Sequence, residues 1–187
     1  MTNKNDFIPD TRSGSMLSRE FSVGRLRRLK KSDLEQFQLY RNDPVVGRFQ
    51  GWEPMPSDKA LDFLNEMELC PLFQNGTWTQ IGISNLETDS LIGDIGIYIS
   101  DDSLSAEIGF TLSSENQGKG IAYAAVQEAI KFLLETTSIE KITAITDSRN
   151  IKSTSLLNRL GFKFKFSKEV EFRGEFCLEY NFELLKI

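Results

Sequence analysis

At 187 residues, with 40% hydrophobic and 26% charged side chains, the chain suits one globular domain that buries roughly 70% of its unfolded surface. A net charge of -5 argues against nucleic-acid binding through bulk electrostatics, and no apolar run approaches the ~18 residues a membrane helix needs. Histidine is absent, which removes Ser-His-Asp and Cys-His catalysis and nearly all zinc sites. Any chemistry must use carboxylates, hydroxyls, backbone amides or a borrowed cofactor; no metal is expected.

Residues 1–20 mix Asn, Asp, Arg and Ser without an apolar signal core, so they read as a disordered leader, with Met16 as an alternative start. Residues 21–187 read as a single domain. Cys70 and Cys177, in a chain with no export signal, predict a reduced, cytoplasmic protein. Phe21 to Leu29 reads as a strand, and the basic cluster Arg25, Arg27, Arg28, Lys30 and Lys31 as its solvated side and the turn after it. Ser32 and Glu35 have capping-box spacing for a first helix through Leu34 and Phe37, which Asn42-Asp43-Pro44 stops. Val45 to Pro56 is irregular and holds Phe49 and Trp52. Ser57 then caps a second helix with an apolar stripe at Ala60, Leu61, Phe63, Leu64, Met67 and Leu69.

From Thr77 the period becomes two. Strands through Ile81 and Ile83, over Leu91 to Ser100, and over Leu104 to Leu112 form an antiparallel meander. The helix after Gly120 places Ala122, Val126, Ala129, Ile130 and Leu133 toward a sheet. Lys141 to Thr146 is a short strand, Ser153 to Leu160 a brief helix closed by Gly161, and two strands follow over Phe162 to Leu185 with a turn at Arg173-Gly174. This order predicts an α/β fold with a mixed sheet and a crossover through the central helix.

The stretch Gln117-Gly118-Lys119-Gly120 joins a strand to a helix, the general layout for holding phosphate. Glycines allow close backbone approach, and a helix N-terminus offers unpaired N–H donors and about half a positive charge. A P-loop does not fit, because no upstream glycine stands at the required spacing. A dinucleotide fingerprint does not fit either, because Tyr123 stands where its third glycine belongs. A glycine-rich connection without a ligand is the structural alternative.

Three stretches together narrow this. Gln117-x-x-Gly120-x-Ala122, preceded by Ile108-Gly109-Phe110-Thr111-Leu112, resembles the acetyl-CoA motif of the GNAT N-acetyltransferases. Asn150-x-x-Ser153 through Gly161-Phe162 resembles that superfamily's second motif. Tyr40-Arg41-Asn42-Asp43-Pro44 with Trp52-Glu53-Pro54 resembles the branch containing the RimJ/RimL ribosomal-protein N-terminal acetyltransferases. The resemblance spans about residues 22–185 and implies a GNAT-like fold, with a mixed, mostly antiparallel sheet flanked by helices.

It also implies a reaction. An acetyl group would pass from acetyl-CoA to a primary amine, nominally a protein N-terminus. A small-molecule amine (aminoglycoside, polyamine or amino acid) is the alternative acceptor, and a CoA-binding module without turnover is a third reading. Carried over from the family, Phe110, Thr111 and Leu112 would hold the pantetheine arm in a gap between splayed strands. Gln117, Gly118, Lys119, Gly120, Ile121 and Ala122 would hold the pyrophosphate, and Asn150 and Ser153 would bind the cofactor from the far side. Many members carry a tyrosine acid seven residues after that Asn. Leu157 stands there, so the role passes to Ser153, with Tyr123, Tyr180 or water as alternatives. Glu107 is the first choice for the base, with Asp94 or Glu53, acting through water, in reserve. Trp52, Glu53 and Tyr98 are expected to wall the acceptor groove. No nucleic acid or membrane partner is implied, and the protein is expected to be a monomer or homodimer.

Overall fold

The computed structural model describes residues 17–186. The leader expected over 1–20 lies outside the described residues up to residue 16. Beyond it the chain is already in a strand: Ser18–Phe21 (β1) pairs antiparallel with Gly24–Arg28 (β2), so the first predicted strand is a hairpin. A 3-10 turn, Lys31–Asp33, leads into helix α1, Leu34–Arg41. The capping contact is shifted from the expected Ser32–Glu35 pair. Asp33 instead reaches back to the Lys30 amide at 2.8 Å.

Asp43-Pro44 ends one helix and starts another. The Asp43 carboxylate accepts from the Val45 amide at 2.8 Å and Pro44 occupies the first turn of a short helix, α2, Pro44–Gly47. Proline is tolerated there because its missing N–H has no intrahelical partner to lose. Helix α3, Ser57–Leu69, starts after Pro56, and the Ser57 hydroxyl, expected as a cap, instead donates to Gln38 at 3.1 Å.

The meander is present as β3 (Trp78–Asn85), β4 (Leu91–Ile99) and β5 (Ser105–Leu112). Helix α4 (Ile121–Thr136), β6 (Lys141–Asp147), α5 (Ile151–Arg159), β7 (Lys163–Phe172) and β8 (Glu175–Leu185) complete an eight-stranded sheet. Its order is β1-β2-β3-β4-β5-β6-β8-β7, and every pairing is antiparallel except β5 with β6. A parallel neighbour needs a crossover, and α4 supplies it.

Alternation along the strands separates two cores. Ile81, Ile83, Ile95, Ile97 and Ile108 are buried on one face beneath Ala125, Val126, Ala129 and Leu133 of α4. Each such aliphatic side chain contributes roughly 1.5–3 kcal/mol relative to exposure. The other face carries a smaller cluster in which Phe37 and Tyr40 of α1 meet Ala60, Leu64 and Met67 of α3.

The basic cluster expected to be a solvated face is largely consumed by the fold. Arg27 is buried, with a two-pronged pair to Asp33 at 2.8 Å and a bond to Asp89 at 2.9 Å. Arg28 donates to the Cys70 and Met67 carbonyls at the end of α3. Lys30 and Ser84 also bond Asp89, and together with Arg27 they outweigh burial and lower that carboxyl to about 2.

Candidate active site

The parallel pair β5–β6 is short. Only Ser105, Ala106 and Glu107 face Lys141, Ile142 and Thr143 in register, and beyond them the strands part. Ser113 N donates to the Ile92 carbonyl and Ser100 N to the Ser105 carbonyl, both at 2.9 Å, so the odd-numbered residues of β5 bond toward β4. Ile108, Phe110 and Leu112 therefore turn their backbone groups into the gap. Two of those carbonyls are met by amide side chains: Gln50 Nε2 lies 3.4 Å from Phe110 O, and Gln117 Nε2 lies 3.0 Å from Leu112 O. Lys152 Nζ donates in turn to Gln117 Oε1 at 3.0 Å.

At the far end of β5 the glycine loop turns into α4. Gly118 and Gly120 have φ of +74° and +78°, the left-handed region that a Cβ disfavours. Nothing lies within 4 Å of where their Cβ atoms would be, so both open onto free space. No amide from Gly118 to Tyr123 donates to a backbone carbonyl among the described residues, and no side chain caps α4. A run of unpaired amides at a helix N-terminus, beside exposed Lys119, has the chemistry of a pyrophosphate cradle.

Across the gap, Asn150 is the N-cap of α5, its Oδ1 accepting from Ser153 N at 3.2 Å, so its structural role is real and leaves the Nδ2 donor free of that bond. Ser153 is half-buried in the first turn of that helix. Leu157, in the place of the missing tyrosine, is a core residue. Tyr180 packs edge-on to Phe164, and Tyr123 lies under Arg159, so the two tyrosine alternatives have aromatic packing roles.

Where β5 and β6 part, a cleft of about 580 Å³ opens between the sheet and the α2–α3 segment. Its wall is aromatic, with Phe49, Trp52, Phe63, Trp78 and Phe110, and Glu107, Asp147 and Glu179 supply its carboxylates. Burial first, and the Glu179 charge second, raise the Glu107 carboxyl above its ordinary value. Asp147 differs: its bonds to Arg149, led by a 2.7 Å contact, hold it below the usual range. Cys177 also lines the cleft, and burial together with Asp147 raises its thiol, which disfavours the nucleophilic thiolate.

The other expected groove residues divide. Trp52 lines the cleft and lies beneath the Arg41 guanidinium, 4.5 Å from the ring. Tyr98 is not among the cleft's lining residues, yet on β4 it pairs with Trp78 of β3 on one side and Glu107 of β5 on the other, its ring 5.6 Å from Trp78. Glu53 is not among the cleft's lining residues either; it is exposed and paired with Arg173 at 3.2 Å. Asp94, a reserve base, is fully buried. It holds Arg41 through both carboxylate oxygens at 2.9–3.0 Å, accepts from the Tyr40 hydroxyl, and takes a 2.6 Å bond from Gln80. Its two oxygens are taken up by these bonds and it has no exposure, so Asp94 has a structural role in place of the reserve one. Sequence reasoning missed this network, although Tyr40-Arg41 was already in view as a branch marker.

A protein-family model described as an acetyltransferase (GNAT) domain matches residues 25–163. The chain belongs to the GNAT acetyltransferase family. It is accordingly an acetyl-CoA-dependent N-acetyltransferase. A relative, the uncharacterized N-acetyltransferase p20 of Bacillus licheniformis, is 29% identical over 168 residues, 86% of this chain and 92% of that protein. Among solved structures, the ribosomal-protein α-N-acetyltransferase RimL with coenzyme A superposes with a TM-score of 0.75 at 15% identity, over 89% of this chain and 98% of that one. Spermidine N-acetyltransferase from Vibrio cholerae, with CoA and spermine, gives 0.73 at 22%, over 86% and 94%. At these identities the two structures share the GNAT fold with this chain. Among the described residues no helix is long and apolar enough to cross a membrane, and no three potential ligands cluster around a metal position.

Proposed function

We propose that this chain acetylates the α-amine of a protein or peptide N-terminus. The observation that carries the reading is Glu107, a carboxylate raised by burial, at the mouth of an aromatic cleft where β5 and β6 part. Acetyl-CoA supplies the activated acetyl group. Amides from Gly118 to Ala122 and Lys119 would hold its pyrophosphate, and the backbone groups of Phe110 and Leu112 would hold its arm as an added strand. Thr111, buried between them, lines the cleft, and Asn150 and Ser153 would face the donor from α5. From Leu112 to Glu107 is five residues of strand, about 17 Å, so a donor lying along β5 runs from the phosphate loop toward the carboxylate.

Magnitudes favour an α-amine. With a pKa near 8, roughly a quarter to a third of it is neutral at pH 7.5, whereas a lysine amine near 10.4 is neutral only to about 0.1%. A carboxylate is a weak base, so it serves the first acceptor far better than the second. Glu107 would take the proton directly or through one water, and Ser153 or water would return one to the leaving thiolate. Backbone amides aimed at the carbonyl oxygen would stabilise the charge that develops there.

The pair Glu107 and Glu179 favours a second reading, a small polyamine whose distal cation sits between the carboxylates. The two readings separate in one experiment. Matched peptides with a free α-amine, with that amine blocked but a lysine present, and spermidine are each offered with acetyl-CoA, and products are read by mass. Acetylation confined to the free α-amine supports the N-terminal reading. Spermidine turnover with every peptide inert would end it.

A further inference from the structure

Arg173 lies at the tip of the β7–β8 hairpin, yet its guanidinium is spent on a segment more than a hundred residues earlier. Nη1 donates to the Gly47 carbonyl at 3.3 Å, and Nη2 donates to the Gln50 and Trp52 carbonyls at 3.3 and 3.0 Å and pairs with Glu53 at 3.2 Å. The hairpin turn does not need an arginine. Arg173 has φ +52° and Gly174 +79°, the turn in which Asn-Gly is the ordinary choice, and a long side chain is disfavoured at the first position.

The segment so held reaches the other arm of the sheet as well. Gln50 bonds the Phe110 carbonyl of β5, and Trp52 lies against Arg41 of α1. Residues 47–53 therefore form a strap from the β7–β8 hairpin to β5, across the opening where the strands part. Phe49, Gln50, Gly51 and Trp52 line the cleft beneath it, while Arg173 does not.

We propose that Arg173 is a positioning residue that latches the 47–53 strap across the cleft and so sets the wall against which the acceptor docks. The functional half of this rests on the acetyl-transfer reading. Lysine is a poor substitute, because one ammonium cannot reproduce a planar fork directed at three carbonyls.

Arg173→Ala and Arg173→Lys are compared with the unmodified chain in steady-state kinetics for both substrates and in hydrogen exchange. In Arg173→Ala the acceptor KM rises roughly 10- to 100-fold while the acetyl-CoA KM stays within about twofold, since a misplaced wall affects one substrate. Exchange over 47–53 quickens, and over β5 and α4 does not change. Arg173→Lys recovers only part of the loss. Unchanged strap exchange overturns the latch, and quickened exchange with an unchanged acceptor KM overturns its role in acceptor docking. An equal rise in both KM values, or failure to fold, assigns Arg173 to the scaffold and overturns the proposal. If the unmodified chain acetylates no amine, the acetyl-transfer reading fails by itself, and strap exchange still decides the latch.

Discussion

Glu107 stands opposite Thr143 at the last register position that β5 and β6 share, so its carboxylate lies where the sheet begins to open. Glu107→Gln is expected to lower kcat by about 10²- to 10⁴-fold, the usual range for a lost general base, with acetyl-CoA affinity preserved. The same substitution should raise the melting midpoint at neutral pH. A carboxyl raised by burial holds its proton more tightly folded than unfolded, so its stabilising contribution is present below the unfolded pKa and lost as pH rises through the folded one. An uncharged Gln escapes that loss. A variant that loses both activity and stability would contradict this assignment.

Glu179 offers a finer control. Its charge is the second cause of the raised Glu107 carboxyl, after burial. In Glu179→Gln the acid limb of the kcat/KM profile should move to lower pH while the plateau is kept. A limb that does not move, or moves upward, would mean that another group governs the acid side.

Gly120→Val tests the phosphate contact. The new side chain enters open space but must adopt φ near +78°, a strain of about 1–2 kcal/mol that leaves the fold largely intact. CoA binding measured by calorimetry should be lost, because a branched side chain would crowd the amides that point there. Normal affinity in a folded Gly120→Val protein would refute the proposed cradle.

Asp94→Ala probes the buried network. Removing the carboxylate leaves Arg41 charged and almost completely buried, which typically costs about 3–5 kcal/mol. Tyr40→Phe removes only one bond to Asp94 and should cost nearer 1–2 kcal/mol. Denaturant midpoints would show the difference, and comparable losses in the two variants would argue against Asp94 as the hub.

The parts of this structure that are local in sequence were legible there. Alternation of Ile81, Ile83, Ile95 and Ile97 against Gln80, Gly82 and Asp94 announces the meander, and Gly118 and Gly120 before an Ala-rich helix announce the loop. What escaped depends on partners far apart in the chain. Arg27 looks like a surface charge until Asp33 and Asp89 close around it, and Asp94 looks like a possible base until Arg41, Tyr40 and Gln80 consume its oxygens. Asp43-Pro44 reads as a stop, and only the Val45 amide bond reveals that it also starts a helix. Arg173 looked like half of a turn. Nothing nearby in sequence points to the Gly47, Gln50 and Trp52 carbonyls it holds.

Thiol release from acetyl-CoA, followed across a panel of free-N-terminus peptides, polyamines, aminoglycosides and amino acids, bears most directly on the central claim. Release that depends on a peptide with a free α-amine, and that falls with Glu107→Gln, is the predicted result. A protein that neither binds CoA nor releases thiol with any amine would contradict it.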